Sequence, residues 1–386
     1  MMAVTTLGGT EPEPSSEVFA AMRRQGSFSI HAMLGTLFLI VLGTGIFRAI
    51  DNGLVASSAS KVQISFWNGF TGPDGIVMLS MIERFNKANP DINVSMQRIP
   101  WATYYNKLTV AGTDGRGPHL FVVHASTLPR IRRAGFISNS ANLYSGPDAI
   151  NSDDFDPYVL DQVRFGDVYD GVPLDIHPQG LYCNAEMLRK AGIVDADGKP
   201  RAPRNKKEFM DALRAMTTQP KEANDKIWGY ALTNWGSNIR SLIPQFGGRY
   251  LDEDGNADLN SPENIEALEF LGSLTKSKLV PPPENGLGWF GYRQKKVAMV
   301  WDGVFMLGDL LRLNDMEYIG APVPTIGKQP GTMADSHVLC IRKGIRNDQR
   351  FAVEKFVRFV SDNSLEWAGA GQVPARKSIR AMPGFA

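Results

Sequence analysis

The sequence predicts an α/β fold built on a parallel, doubly wound sheet. Two observations carry this: strand and helix patterns alternate from residue 62 onward, and the composition is that of an ordinary globular chain. Hydrophobic residues make up 43% of the 386 and charged residues 21%, which excludes a disordered chain. The 41 Lys+Arg against 40 Asp+Glu leave a net charge of +1, so there is no broad electrostatic footprint for nucleic acid. Two cysteines, Cys183 and Cys340, exclude a disulfide-rich scaffold and a cysteine-cluster metal site. A bridge between them does not follow from sequence. At roughly 100–200 residues per domain, the length predicts two or three domains.

The N-terminal region, residues 1–60, sets the compartment. Residues 26–47 contain no Lys, Arg, Asp or Glu, and a helix of about 20 apolar residues crosses a bilayer. Arg23 and Arg24 precede this run and only Arg48 follows closely, which keeps the N-terminus cytoplasmic. The small residues 56–60 offer a cleavage site. Two readings stand: a cleaved signal peptide or an uncleaved anchor. Arg23-Arg24 also matches a twin-arginine signal. Either way the rest of the chain is expected outside the cytoplasmic membrane. No second run of this length appears, so the chain is not a permease.

Residues 62–67 read as a strand. Gly72-Pro73-Asp74 then opens a helix, because Pro suits the first helical position and Asp favours the positive helix end. Val77, Met81, Ile82 and Phe85 give that helix one apolar face, and Asn89-Pro90 stops it. A strand resumes at 92–99. This strand–helix–strand unit implies the parallel sheet, with ligands at the carboxyl ends of its strands. A helix over 103–111, a strand over 120–123 and a helix through Ile131 continue the pattern. Later helices are expected at 206–216, 262–274 and 350–360. Ser261 caps the second of these, with Pro262 and Glu263 in its first turn. Pro281-Pro282-Pro283 reads as a loop or a short polyproline segment.

Against this frame, a set of segments resembles a known family. They are Phe66-Trp67-Asn68-Gly69-Phe70-Thr71-Gly72-Pro73-Asp74, Phe85-Asn86-Lys87-Ala88-Asn89-Pro90 and Tyr104-Tyr105-Asn106-Lys107-Leu108. Val172-Pro173-Leu174-Asp175-Ile176-His177-Pro178 follows and leads into Leu181-Tyr182-Cys183-Asn184. Phe246-Gly247-Gly248, Val297-Ala298-Met299, Ala321-Pro322-Val323-Pro324 and Gly371-Gln372-Val373-Pro374-Ala375-Arg376-Lys377-Ser378 complete the set. In this order they resemble the extracellular (periplasmic) solute-binding proteins of ABC importers, in the carbohydrate-binding group related to maltose-binding protein. The resemblance implies a two-lobe periplasmic-binding-protein fold with hinge strands between the lobes and a ligand cleft that does no chemistry. It implies lobe 1 at 61–175 plus 338–386 and lobe 2 at 176–337. The family continues for several dozen residues past its Val-Pro-Ala-Arg segment, so the C-terminal part reads as short. A natural short form, a truncated gene and a second chain completing lobe 2 all fit that departure.

A sugar presents apolar C–H faces and a ring of hydroxyls, which aromatic platforms and planar polar groups match. Trp67 ends the first strand at the crevice edge and reads as a platform or as core. Phe70, Thr71 and Asp74 lie at the following turn and helix start. Asp74 there also suits a plain helix-start charge. His124 and Ser126 follow the 120–123 strand. Asp175 and His177 flank the turn where the resemblance puts the first lobe crossing, as ligand contacts or hinge-ordering groups. In lobe 2, Trp235 follows a strand read at 229–232, and Trp301 and Asp302 occupy a turn that faces ligand in the family. His337 precedes the strand returning to lobe 1. Arg376, in the Val-Pro-Ala-Arg segment, contacts ligand or braces the hinge.

Several patterns are set aside. His124 and His177 lack a further partner at metal-binding spacing, so no metal is expected. No cofactor is implied. Gly286 to Gly291 matches dinucleotide-loop spacing but follows Pro-Pro-Pro rather than a strand. Asp252, Asp254, Asn256, Asp258 and Glu263 match calcium-loop positions, but Ala257 stands where that loop needs Gly, so a surface hairpin is preferred. Tyr104 and Tyr105, adjacent on a helix, point about 100° apart and read as packing rather than as shared iron ligands. No catalytic spacing appears, which leaves Asp175 and Asp302 as a merely conceivable glycosidase pair. The expected function is capture of a mono- or oligosaccharide for ABC permease subunits in the membrane. A membrane-tethered sensor or docking module is the alternative.

Overall fold

A computed structural model describes residues 61–219, 225–282, 286–313 and 315–385. The N-terminal segment with its signal-peptide and anchor readings lies outside the described residues, as does Pro283. Among the described residues, no helix is long and apolar enough to cross a membrane.

The strands follow in chain order. β1 (Val62–Asn68), β2 (Ile92–Arg98) and β3 (Leu120–His124) come first. The short β4 (Arg164–Phe165), β5 (Val168–Tyr169) and β6 (Val172–Pro173) lead into the ten-residue β7 (Asp175–Asn184). β8 (Met299–Gly303), β9 (Tyr318–Ala321), β10 (Ala334–Asp335), β11 (His337–Ile341) and β12 (Val373–Pro374) complete the set.

Lobe 1 holds a sheet in the order β2-β1-β3-β11-β6. β1 pairs in parallel with β2 and β3, as the strand–helix–strand pattern predicts. β11 is antiparallel to both β3 and β6, so the sheet is mixed rather than parallel. The reason is topological: β11 belongs to chain returning from lobe 2 and enters from the opposite end.

Alternation along β1 buries Ile64, Phe66 and Asn68 and leaves Trp67 part-exposed on the other face. The helix Pro73–Ala88 buries Met78, Met81, Ile82 and Phe85, so Met78 rather than Val77 completes its inner stripe. The helix Asn347–Asp362 packs Phe356 against Phe66 and Phe85 at ring distances of 5.9 and 5.0 Å. Burying one such phenyl ring contributes about 1.5–3 kcal/mol.

β7 carries the chain from one lobe to the other. Its start pairs with β12, its next two residues with β10, and its far half with β8 and β9. Lobe 1's apolar core draws on residues 64–174 and 338–375, and the main lobe 2 core on residues 181–326. The helix Lys206–Met216 buries Phe209, Ala212, Leu213 and Met216, at the spacing the sequence predicts. The strand expected at 229–232 reduces to two isolated bridges, Trp228 to Val297 and Ala231 to Val300. A surface turn closes at Asp252–Asn256, where Gly255 takes a φ of 81° and Leu251 bridges Ala257. Cys183 and Cys340 are both buried and unpaired.

Candidate functional site

The carboxyl end of β3, the start of the helix Pro73–Ala88, and the strands β7, β10 and β11 meet around a cleft of about 540 Å³. Lobe 1 contributes Thr71, Asp74, Trp101, His124 and Ser126. β7 contributes His177 and Gln179, and lobe 2 contributes Asn234, Arg240 and Phe305. Asp335, His337 and Gln372 close the wall. A second cavity of about 640 Å³ shares Asn234 and Phe305 with the first and is lined by Trp235, Trp289 and Asp302.

Six residues singled out from sequence line the first cleft: Thr71, Asp74, His124, Ser126, His177 and His337. Trp235 and Asp302 line the second. Five others line neither, each for a visible reason. Trp67 lies on the face of β1 opposite Phe66, part-buried against the lobe 1 core, with the Lys107 ammonium 5.0 Å over its ring. Phe70 is fully buried behind the cleft, its ring edge-on to His337 at 4.9 Å. Asp175 is fully buried beneath the histidines. Trp301 lies within β8 rather than after it and is packed into the lobe 2 core. Arg376 is tied to Asp154 and Asp362, at 2.7 and 2.5 Å, away from the cleft.

Trp101 escaped the sequence reading. It follows Pro100 at the start of the helix Trp101–Thr113 and reads there as an ordinary helix-start residue. Its indole stacks on the His337 ring at 5.8 Å with planes 12° apart, and the His124 ring lies 4.3 Å away. Gly69 makes the room, because a Cβ there would overlap the indole. Gln179, Arg240 and Phe305 also escaped, and no local pattern marks them; Gln372 stands in the Gly371–Ser378 segment, where the sequence reading singles out Arg376 instead.

The polar groups of the cleft are held in place. Asp74 accepts backbone N–H bonds from Gly72 and Gly75 at 3.1 and 2.8 Å; burial pushes its carboxyl up, and those bonds only partly offset this. Burial likewise raises the Asp302 carboxyl. Ser126 donates to Asp335 from both its backbone N–H, at 3.1 Å, and its hydroxyl.

Asp175 is the hub. Its Oδ1 meets His177 Nδ1 at 3.0 Å and accepts the His337 backbone N–H at 2.9 Å. Its Oδ2 meets His337 Nδ1 at 2.7 Å and accepts the Trp367 indole N–H at 2.6 Å. Burial alone would raise this carboxyl, but the His337 and His177 rings outweigh it and hold it far below the usual range. Burial would lower His337, but Asp175 outweighs it and raises that ring. His124 has no such carboxylate. Burial, then the neighbouring His337 and His177 rings, push it well below its ordinary value.

The expectation that His124 and His177 lack a third partner is corrected by the fold. His337 supplies it, and one nitrogen from each of the three rings lies within 4.8 Å of the others. Sequence spacing cannot reveal this, because three separate strands bring the rings together.

The Escherichia coli (strain K12) protein YcjN, provisionally named an ABC transporter periplasmic-binding protein, is 22% identical over 356 residues. That match covers 88% of this chain and 79% of YcjN. An arabinooligosaccharide-binding protein of Bacillus subtilis (strain 168) is 21% identical over 257 residues, covering 65% of this chain and 56% of that protein. Among solved structures, the maltose/maltodextrin-binding domain MalE from Bdellovibrio bacteriovorus, bound to maltotriose, superposes with a TM-score of 0.71. It is 19% identical and covers 84% of each chain, a likeness of fold. The model of the bacterial extracellular solute-binding protein family matches residues 73–364, most of the two-lobe body, and the chain belongs to that family.

Proposed function

We propose that this protein binds a carbohydrate in its interlobe cleft and delivers it unchanged to the permease subunits of an ABC importer. The observation that carries the reading is a pair of buried side-chain amides in the cleft wall. Gln179 and Gln372 are 5% and 2% exposed. The Gln179 Oε1 and both amide atoms of Gln372 have no hydrogen-bond partner in the protein. Buried polar atoms are normally satisfied, so these amides favour a ligand that both donates and accepts, admitted as the lobes move apart. Sugar hydroxyls do both. Trp101 and Phe305 add apolar faces beside them. The Bacillus subtilis relative is named for arabinooligosaccharides and the Bdellovibrio domain for maltose and maltodextrin, which favours the same ligand class here.

Capture works by closure of the lobes about β7 and β10, the paired strands that join them. Residues 26–47, read as a cleaved signal or as an anchor, favour binding lobes outside the cytoplasmic membrane.

A thermal-shift screen of the full chain against sugars, polyols and glycerol phosphates tests the reading. A ligand at 100 times its Kd adds about 2.7 kcal/mol. At roughly 2 °C per kcal/mol that is a shift of about 5 °C. A shift with one carbohydrate, recovered intact by mass spectrometry, is the expected result. A cooperative melt that no carbohydrate shifts overturns the reading in favour of a tethered sensing or docking role.

A further inference from the structure

We propose that His124, His177 and His337 bind one divalent transition-metal ion of the zinc class at the floor of the cleft, through their Nε2 atoms. The three rings converge from β3, β7 and β11. Their centres lie 5.5 Å (His124–His177), 4.8 Å (His124–His337) and 4.3 Å (His177–His337) apart. Three imidazoles bound tetrahedrally to one zinc at about 2.0–2.1 Å have ring centres about 5 Å apart. The observed distances bracket that value.

The Nδ1 atoms supply a second, independent observation. Asp175 engages Nδ1 of both His177 and His337, at 3.0 and 2.7 Å. The Tyr105 hydroxyl lies 2.5 Å from Nδ1 of His124. Every Nδ1 is therefore taken and every Nε2 is left as the free nitrogen. A carboxylate or other oxygen that holds the far nitrogen of a ligating histidine is the usual outer shell of a metal site, where it fixes the ring and raises its basicity. Asp175 does this for two rings at once and is itself fixed by Trp367 at 2.6 Å. The Trp101 indole, against the His124 and His337 rings, limits their tilt.

Three imidazoles suit zinc, copper, nickel or cobalt and give magnesium or calcium no oxygen cage. Three protein ligands also leave at least one coordination position open, here toward the cleft, as in sites where a metal meets a second ligand. The proposal does not depend on which solute the cleft carries.

The test uses the full chain, stripped with a chelator and titrated with Co²⁺ as a spectroscopic probe and Zn²⁺ as its competitor. The expected result is one Co²⁺ per chain, with the visible absorption of a low-coordinate nitrogen site, displaced by one Zn²⁺. His177→Ala and His124→Ala each weaken binding by about tenfold or more. Tyr105→Phe removes no ligand atom but releases the His124 ring, and weakens binding by about 10–100-fold. His119→Ala, a described histidine outside the cluster that meets the Ser65 hydroxyl at 2.8 Å, leaves binding unchanged. Should the ligand variants fail to fold, Tyr105→Phe still decides. No Co²⁺ uptake at micromolar metal, or uptake that survives Tyr105→Phe undiminished, overturns the proposal. A chain that binds metal but no carbohydrate overturns only the solute reading.

Discussion

His124 at the end of β3 and His337 at the start of β11 stand directly opposite each other across an antiparallel pairing, with ring centres 4.8 Å apart. Side chains of residues opposite on one face are close by construction. The same logic fixes the neighbouring strand pair, where His177 of β7 is opposite Asp335 of β10. The floor of the cleft is therefore set by strand register at the join between lobes. Rings held by paired strands keep their geometry better than rings on loops, which suits a site that must be ready before its ligand arrives.

Asp175→Asn should be among the most destabilising single changes in lobe 1. The carboxylate is fully buried and engages His177, His337 and Trp367. Removing one partner of a buried charged pair costs about 3–5 kcal/mol. At roughly 2 °C per kcal/mol the melting temperature should fall by about 6–10 °C. Trp367→Phe removes only one charge-assisted bond to the same oxygen, so its loss should be smaller, about 1.5–3 kcal/mol. Calorimetry of both variants checks the order, and an equal or inverted ranking would refute the hub role.

Trp101→Ala and Trp67→Ala should separate the cleft from the packing of lobe 1. Trp101 lines the cleft, whereas Trp67 is packed against the lobe 1 core away from it, under Lys107. Carbohydrate affinity should fall about tenfold or more in the first, about 1.4 kcal/mol, and change little in the second. Gly69→Ala should imitate Trp101→Ala, because its new methyl group must push the indole aside. Titration calorimetry with the sugar found by the thermal screen measures all three.

What was legible in the sequence follows from the range of the interactions. The strands β1 to β3 and the helices Pro73–Ala88 and Lys206–Met216 depend on local periodicity and end signals, and the residues display both. The antiparallel β11 depends on pairing with a distant strand, which no local pattern encodes. At the site, the strand-end argument finds His124 and Ser126 because a doubly wound sheet always opens its crevice there. It selects Trp67 at the end of β1, whereas the aromatic ring that lines the cleft is Trp101. The histidine cluster was illegible as a cluster, because each member is an unremarkable strand-end residue until register brings the three together.

Cys183 and Cys340 should be chemically silent in the native chain. Each is fully buried, and burial pushes both thiols well above their usual range, so little thiolate is available. At pH 8 a thiol reagent should label neither. In denaturant it should label both, since these are the only cysteines in the sequence. Labelling of one thiol under native conditions would show that its lobe opens far more readily than its packing implies.

Acid should weaken the contact that ties the C-terminal segment to lobe 1. Burial alone would raise the Asp154 carboxyl, but the Ser378 hydroxyl, the Arg376 guanidinium and the Ser378 backbone N–H outweigh it and hold it below its ordinary value of 3.8. The unfolded chain therefore takes up this proton first as pH falls. Its contribution to stability is complete above the ordinary carboxyl value and is lost as pH drops toward the lower folded one. Arg376 also bonds Asp362, so one guanidinium links residues 154 and 362 to the segment beyond β12. Asp154→Asn should lower the melting temperature at pH 7, and the gap from the wild type should close as pH falls below about 4. A gap that persists unchanged at pH 3 would mean that the side chain acts there through shape and neutral hydrogen bonds rather than charge.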